Sequence, residues 1–208
     1  MSTAKDHFGR IDVIIANAGI ECMQPMWKMS PDYFERVIDI NLTGVWRTFR
    51  AALPHVTEQR GYMLAISSMA AFVHSPLQGA YTASKAGVWA MCDTTRLEVR
   101  SRGVKVGSVH PTFFHTPMMD KVWADPAGVS IWGGNKTGLW RTVSLESVGE
   151  SIVTGIEKRS RLIVCPRCNA LFARTPGLVQ PVIDRIGFSD RTIIEASRLA
   201  KSSADYRA

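Results

Sequence analysis

The sequence predicts an α/β protein whose strands lie parallel in one sheet. Two observations carry that expectation. Short apolar runs rich in β-branched residues alternate with longer helical stretches, the pattern of right-handed βαβ units covered on both faces. The residues that end those runs are tight turns or small polar groups, as expected where a parallel sheet presents a ligand site at its carboxyl edge.

Taken in order, Ile11 to Ala16 is an apolar run without alternation and reads as a buried parallel strand. Asn17-Ala18-Gly19 ends it. Ser30-Pro31-Asp32 is a helix start, with Ser as cap and Pro at the first helical position, and the helix is expected to run to about His55. Tyr62 to Ile66 is the next strand, followed by Ser67 and Ser68. A loop with His74, Pro76 and Gly79 leads to a helix from about Tyr81 to Arg100, which Gly103 ends. Val104 to Val109 is a strand, closed by His110-Pro111-Thr112. Residues 111–140 read as irregular and rich in Gly and Trp. Ser144 to Glu157 predicts a helix and Leu162 to Cys165 a strand. Two tail helices are expected, near 169–186 and 190–202, the first interrupted by Pro176 and Pro181.

The bulk properties narrow the classes. The chain has 208 residues, 46% hydrophobic and 21% charged, the balance of a globular domain. No apolar run is long enough to span a bilayer, and the N-terminus lacks a signal-peptide pattern, so a cytoplasmic protein is expected. The formal net charge is +7, and residues 158–208 hold ten Lys/Arg against four Asp/Glu. A solvated helix face is the plain reading of that basic tail; peripheral contact with a membrane is the alternative. No nucleic-acid motif accompanies the charge. The cysteines are Cys22, Cys92, Cys165 and Cys168. A single CxxC lacks the second ligand pair of a structural zinc site, and no metal is expected.

The chemistry centres on Tyr81 and Lys85, which a four-residue spacing puts on one helix face. A nearby ammonium favours the phenolate, which makes Tyr81 a candidate general acid/base towards an alcohol oxygen. Ser68 ends a strand thirteen positions earlier, and its hydroxyl is placed to donate to a developing alkoxide. Asn41 and Gly44 are poor helix formers in mid-helix. A kink there that frees a carbonyl to hold a water is one explanation and a tolerated surface Asn the other.

Asn17-Ala18-Gly19, Asn41-Leu42-Thr43-Gly44, Ser67-Ser68 and Tyr81-Thr82-Ala83-Ser84-Lys85-Ala86 occur in a recognisable order, with Pro111 and Thr116 in place of Pro-Gly-x-x-x-Thr. Together they resemble the short-chain dehydrogenase/reductase family over residues 8 to about 165. The resemblance implies the carboxyl-terminal portion of a doubly wound, Rossmann-like parallel sheet. It also implies hydride transfer between NAD or NADP and a secondary alcohol or carbonyl. Tyr81 would be the acid/base, Lys85 would hold the nicotinamide ribose, Ser68 would orient the substrate oxygen, and Asn41 would anchor a relay water. Asn17, Ala18 and Gly19 would line the adenosine side, while Pro111, the Phe114 backbone and Thr116 would meet the carboxamide end.

The chain departs from the family in two ways. Thr112 stands where the family usually has Gly. The opening strand, Gly-rich turn and helix that bind the pyrophosphate have no counterpart, roughly 70–90 residues of a dinucleotide-binding unit. The expectation is therefore a truncated catalytic domain over 1–165 with a helical tail over 166–208, and an Ile11–Ala16 strand left as an apolar edge.

Trp123, Trp132, Trp140, Met118, Met119 and Val122 fall in the family's lid region and suggest a bulky hydrophobic alcohol or ketone substrate; packing against the tail is the other reading. The family pairs the helices near 30–55 and 81–100 between subunits, which implies a homodimer or homotetramer. The rival to an enzyme is a non-enzymatic remnant that acts as a binding or oligomerisation module.

Overall fold

The computed structural model of the protein describes residues 1–21, 23–133 and 140–201; Cys22 and the end of the tail lie outside the described residues. Four strands form one sheet in the order β1-β2-β3-β4, every pair parallel. They are β1 (Val13–Ala16), β2 (Tyr62–Ile66), β3 (Lys105–Pro111) and β4 (Leu162–Cys165). A parallel sheet requires a crossover between strands. Here α2 (Pro31–Ile38) and α3 (Gly44–Glu58) join β1 to β2, and α4 (Gly79–Glu98) joins β2 to β3. The last crossover is longer: α5 (Pro117–Ala124), α6 (Pro126–Trp132) and α7 (Leu145–Glu157). A short α1 (Ser2–Phe8) precedes β1, and α8 (Ala170–Arg174), α9 (Pro176–Ile186) and α10 (Asp190–Leu199) follow β4.

The strand residues alternate between two cores because successive side chains point to opposite faces. Met63, Ala65 and Val106 pack with Val45, Phe49 and Val56 of α3 and Val88 and Cys92 of α4. Tyr62, Leu64 and Val109 pack on the other face with Ile163, Ile152 and Ile156. Burying a side chain such as Leu64 stabilises the fold by about 1.5–3 kcal/mol. The sheet is thus covered on both sides in the centre, as the unbroken apolar runs predict. Strand β1 is different: among the described residues it pairs with β2 alone, and Val13 and Ile15 remain 37% and 43% exposed.

Two segments differ from the sequence expectation. Residues 117–124 and 126–132 are helical rather than irregular. The signals are local: Thr116 and Asp125 accept hydrogen bonds from Met119 N and Ala127 N, and Pro117 and Pro126 occupy the first helical positions. Among its described residues the tail holds three helices in place of two, because Pro176 starts α9 instead of bending a longer helix. Helix α10 folds back on α6, with Ala196 packed among Met119, Val122 and Ala127. Lys28 Nζ donates to Ser197 O (2.7 Å) and Gln24 Nε2 to Lys201 O (3.0 Å), tying α10 to the loop after β1. Among the described residues no helix is long and apolar enough to cross a membrane.

Candidate active site

The carboxyl ends of β1, β2 and β3 open on a cavity of about 1060 Å3. Ordinary ligand pockets hold ~300–1,000 Å3, so the space is generous even for a large ligand. Asn17, Ala18 and Gly19 enter its wall from β1, Ser68 from β2, and Tyr81 and Lys85 from the first turns of α4. Pro111, Phe114 and Thr116 enter from the end of β3 and the loop beyond it. Nine of the ten residues singled out in the sequence therefore share one cavity, and Asn41 is the exception.

Asn41 is fully buried behind the wall. It sits in a π-helical turn, Asp39–Thr43, between α2 and α3. Such a turn widens the helix locally and is common at functional sites. The Asn41 side chain is spent on the chain itself. Its Oδ1 accepts from Ile20 N (2.8 Å), and its Nδ2 donates to Ile20 O (2.9 Å) and Ser84 Oγ (3.0 Å). The loop after β1 is thereby fastened to the turn and to α4. Ser84 Oγ in turn donates to Tyr81 O (2.7 Å).

Lys85 is almost completely buried, and its Nζ donates to Ile66 O at 2.9 Å. That nitrogen lies 5.5 Å from the centre of the Tyr81 ring. Gly19 leaves close quarters beside it: a Cβ there would meet Lys85 Nζ at 3.3 Å and Asn41 Oδ1 at 3.4 Å. Burial brings the Lys85 ammonium down to about 8, with Glu21 opposing. The Tyr81 hydroxyl is pushed above its usual value, by burial first and then by Glu21, while its hydrogen bond with Ser68 pulls the other way. The Lys85-driven fall that the four-residue spacing suggests is absent here, and the loss of solvent around the phenol dominates. Tyr81 therefore holds its proton at neutral pH.

Ser68 is set by its neighbours. Its Oγ accepts from Ala70 N (3.1 Å), and its carbonyl accepts from His110 Nδ1 (3.0 Å). A carbonyl only accepts, so Nδ1 carries the proton and Nε2 receives from Ser108 Oγ at 2.8 Å. Burial takes the His110 imidazolium down to about 4, which keeps the ring neutral. His110 is thus a support for the strand end that carries Ser68. Thr116 spends its acceptor on Met119 N (3.1 Å) and keeps its own hydroxyl proton to donate. Thr112 places a buried hydroxyl at the cavity wall with no hydrogen-bond partner among the described residues.

Glu21 and Gln78 also line the cavity, and sequence patterning did not single them out. The available signal was a lone carboxylate two residues beyond Gly19. The remaining wall is apolar. Trp132 and Trp140 reach it from the lid, and Phe172, Val179 and Phe188 from the tail. The lid aromatics pack against the tail, Trp132 on Phe188 (5.7 Å between rings) and Trp140 on Phe172 (5.4 Å), and both also line the cavity, whereas Val122 and Trp123 do not.

A family model described as short chain dehydrogenase matches residues 1–127. An uncharacterized NAD-dependent oxidoreductase of Mycobacterium tuberculosis is 37% identical over 117 residues, 55% of this chain and 42% of that protein. The 3beta-hydroxysteroid dehydrogenase 1 of Eggerthella lenta is 37% identical over 121 residues, 57% of this chain and 46% of that protein. The chain spans about half the length of these relatives. Among solved structures, a short chain dehydrogenase from Mycobacterium paratuberculosis bound to NAD superposes with a TM-score of 0.66 at 28% identity, covering 78% of this chain and 65% of that one.

Proposed function

This chain belongs to the short-chain dehydrogenase family, and from that premise we propose that it interconverts a secondary alcohol and a carbonyl with NAD or NADP. The observation that carries the reading is the convergence of Ser68, Tyr81 and Lys85 on one cavity at the carboxyl edge of a parallel sheet. The NAD-dependent relative and the NAD-bound structural neighbour support the cofactor.

The residues present fit a nicotinamide nucleotide. The wall at Ala18-Gly19 is bare of bulk, and a side chain at Gly19 would fill the space against Lys85. Lys85 Nζ uses one of its three donors on Ile66 O, which leaves two for ribose hydroxyls. The unpaired Thr112 hydroxyl and the Thr116 proton stand at the far side, where a carboxamide offers acceptors. Asn17 completes the cradle from the strand end. When bound, the nicotinamide supplies or takes the hydride.

The chain's own residues handle the proton. In reduction Tyr81 Oη–H donates its proton to the carbonyl oxygen as that oxygen gains charge, and Ser68 Oγ–H donates a hydrogen bond to the same atom. Oxidation is the reverse of these transfers, with the alcohol proton returning to the Tyr81 oxygen. Asn41 keeps the loop after β1 in register with α4, so that the cofactor side and the acid/base side of the cavity stay matched. The aromatic and aliphatic lid and tail exclude water and fit a bulky hydrophobic alcohol or ketone, a reading the steroid-dehydrogenase relative supports.

Assembly as a homodimer or homotetramer belongs to the same proposal. It draws support from Trp46 on α3 and Leu97 on α4, which stay 47% and 57% exposed on the helices expected to pair. The test of the whole reading is titration of the purified 208-residue chain with NADH and NADPH, following ligand fluorescence and melting temperature. Ligand bound to the folded state raises the melting temperature. A folded protein that ignores both nucleotides would overturn the proposal.

A further inference from the structure

We propose that the outer face of α9 docks on an anionic lipid surface, with its apolar side chains entering the headgroup layer and the arginines around it meeting the lipid charge. This surface lies outside the Ser68, Tyr81 and Lys85 machinery.

Helix α9 reads Pro-Gly-Leu-Val-Gln-Pro-Val-Ile-Asp-Arg-Ile over Pro176–Ile186, and none of its described side chains is buried. A helix this short has little stability of its own in water and depends on what its apolar side chains pack against. The inner side meets that need. Val179 and Ile183, one turn apart, line the cavity, and Gln180 Oε1 accepts from His74 N at 2.8 Å. The outer side does not. Leu178 and Val182, also one turn apart, are 77% and 57% exposed, and Leu171 of the adjoining α8 is 65% exposed. Val182 belongs to both sides, since it also lines the cavity. The cavity wall thus continues into the outer face, and a docked α9 sets that edge of the cavity against the lipid.

The charges name the occupant. Arg185 follows Val182 at a three-residue spacing and shares its face. Arg174 closes α8 immediately before α9, and both arginines are exposed. Asp184, the acidic residue of α9, lies around the helix from this stripe and accepts from Gln180 Nε2 at 2.6 Å. Apolar side chains with cations at both ends suit the interface of a bilayer. A second copy of the chain suits them less. Packing α9 on its own copy brings arginine near arginine whether the helices run parallel or antiparallel, because one stands at each end. An anionic bilayer meets the same two charges with the opposite sign.

The test is sedimentation of the whole 208-residue chain with vesicles of phosphatidylcholine alone and of equal parts phosphatidylcholine and phosphatidylserine. The protein is expected to pellet with the mixed vesicles and to stay in solution with the neutral ones. Arg174→Gln and Arg185→Gln are each expected to weaken binding about five-fold. Leu171→Ser combined with Leu178→Ser, both outside the cavity wall, is expected to weaken it about ten-fold or more, and Leu178→Met to retain it. Circular dichroism reads the folding of each variant. The comparison of neutral with mixed vesicles uses the unaltered chain, so it decides even where the serine pair loses helix. No pelleting of the unaltered chain with mixed vesicles overturns the proposal. Pelleting that the serine pair leaves unchanged in a folded protein also overturns it, by assigning the binding to basic charge elsewhere. An oligomer in sedimentation velocity that Leu178→Ser dissociates, in a chain that ignores vesicles, gives the face to a second copy and overturns it as well. Titration with NADH reads the proposed chemistry separately, so the two readings fail independently.

Discussion

Asn41 brackets Ile20: the side-chain amide accepts a hydrogen bond from Ile20 N at 2.8 Å and donates one to the Ile20 carbonyl at 2.9 Å. One side chain thus replaces both backbone partners that a neighbouring strand would supply. The bracket joins the mid-helix π turn to the loop after β1, and the third bond, to Ser84, carries the link to the helix of Tyr81 and Lys85.

Asn41→Ala leaves these backbone groups without their partner in a part-buried place. Each orphaned polar group costs about 1–3 kcal/mol. Each kcal/mol lowers the melting temperature of a chain this size by about 2–4 °C. Calorimetry is expected to show a drop of several degrees. An unchanged melting temperature would mean that water or a shift of the loop compensates, and the bracket would lose its structural role.

Gly19→Val places branched carbons where a single Cβ already meets Lys85 Nζ at 3.3 Å. Lys85 or the loop must move, and the space beside the ribose-binding donors closes. The expected result is loss of NADH binding, read by fluorescence titration, in a protein whose far-ultraviolet circular dichroism is unaltered. Equal affinity in the variant would place the nucleotide elsewhere.

Tyr81→Phe removes one hydroxyl and keeps the ring that packs beside Lys85. General acid catalysis by a positioned group contributes about 10²–10⁴-fold. Turnover with a hydrophobic ketone is expected to fall by that order while nucleotide affinity stays within a small factor. Retained turnover would remove Tyr81 from the acid role.

The pH dependence of stability carries the mark of Glu21. Its carboxyl is raised from 4.5 to about 7 in the folded state. The folded protein therefore binds more protons than the unfolded chain in that window, and the contribution present below pH 4.5 is lost as pH rises through about 7. His110 acts in the opposite sense. Its value is lowered from 6.5 to about 4, so its contribution is lost as pH falls through that range. The two overlap, and the difference between the unaltered protein and Glu21→Gln isolates the carboxyl. Relative to the unaltered protein, Glu21→Gln is expected to gain melting temperature between pH 5 and pH 7. A constant difference across the window would show that Glu21 ionises at an ordinary carboxylate value.

Much of the architecture was legible without coordinates. The runs at Tyr62–Ile66 and Leu162–Cys165 became strands because a strand buried on both faces needs an unbroken apolar run, whereas the run at Ile11–Ala16, read as buried, became a shorter strand, Val13–Ala16, with Val13 and Ile15 exposed. The four-residue spacing of Tyr81 and Lys85 placed them on one helix face, and the local geometry of a helix is enough for that. The lid helices were legible too, in Thr116-Pro117 and Asp125-Pro126, but the abundance of Gly and Trp masked those caps.

By itself, then, the sequence determined the parallel α/β order, the strand ends and the pairing of Tyr81 with Lys85, because these depend on short-range periodicity and turn chemistry. Only the tertiary structure decided what surrounds them. Periodicity does not reveal that α10 returns to α6, or that Asn41 faces Ile20 rather than solvent. Nor does it reveal that Glu21 lies in one cavity with Lys85 and Tyr81. These relationships join segments far apart in the chain. Their energetic consequences, a lysine brought down to about 8 and a phenol held protonated, arise from solvent excluded by the whole fold.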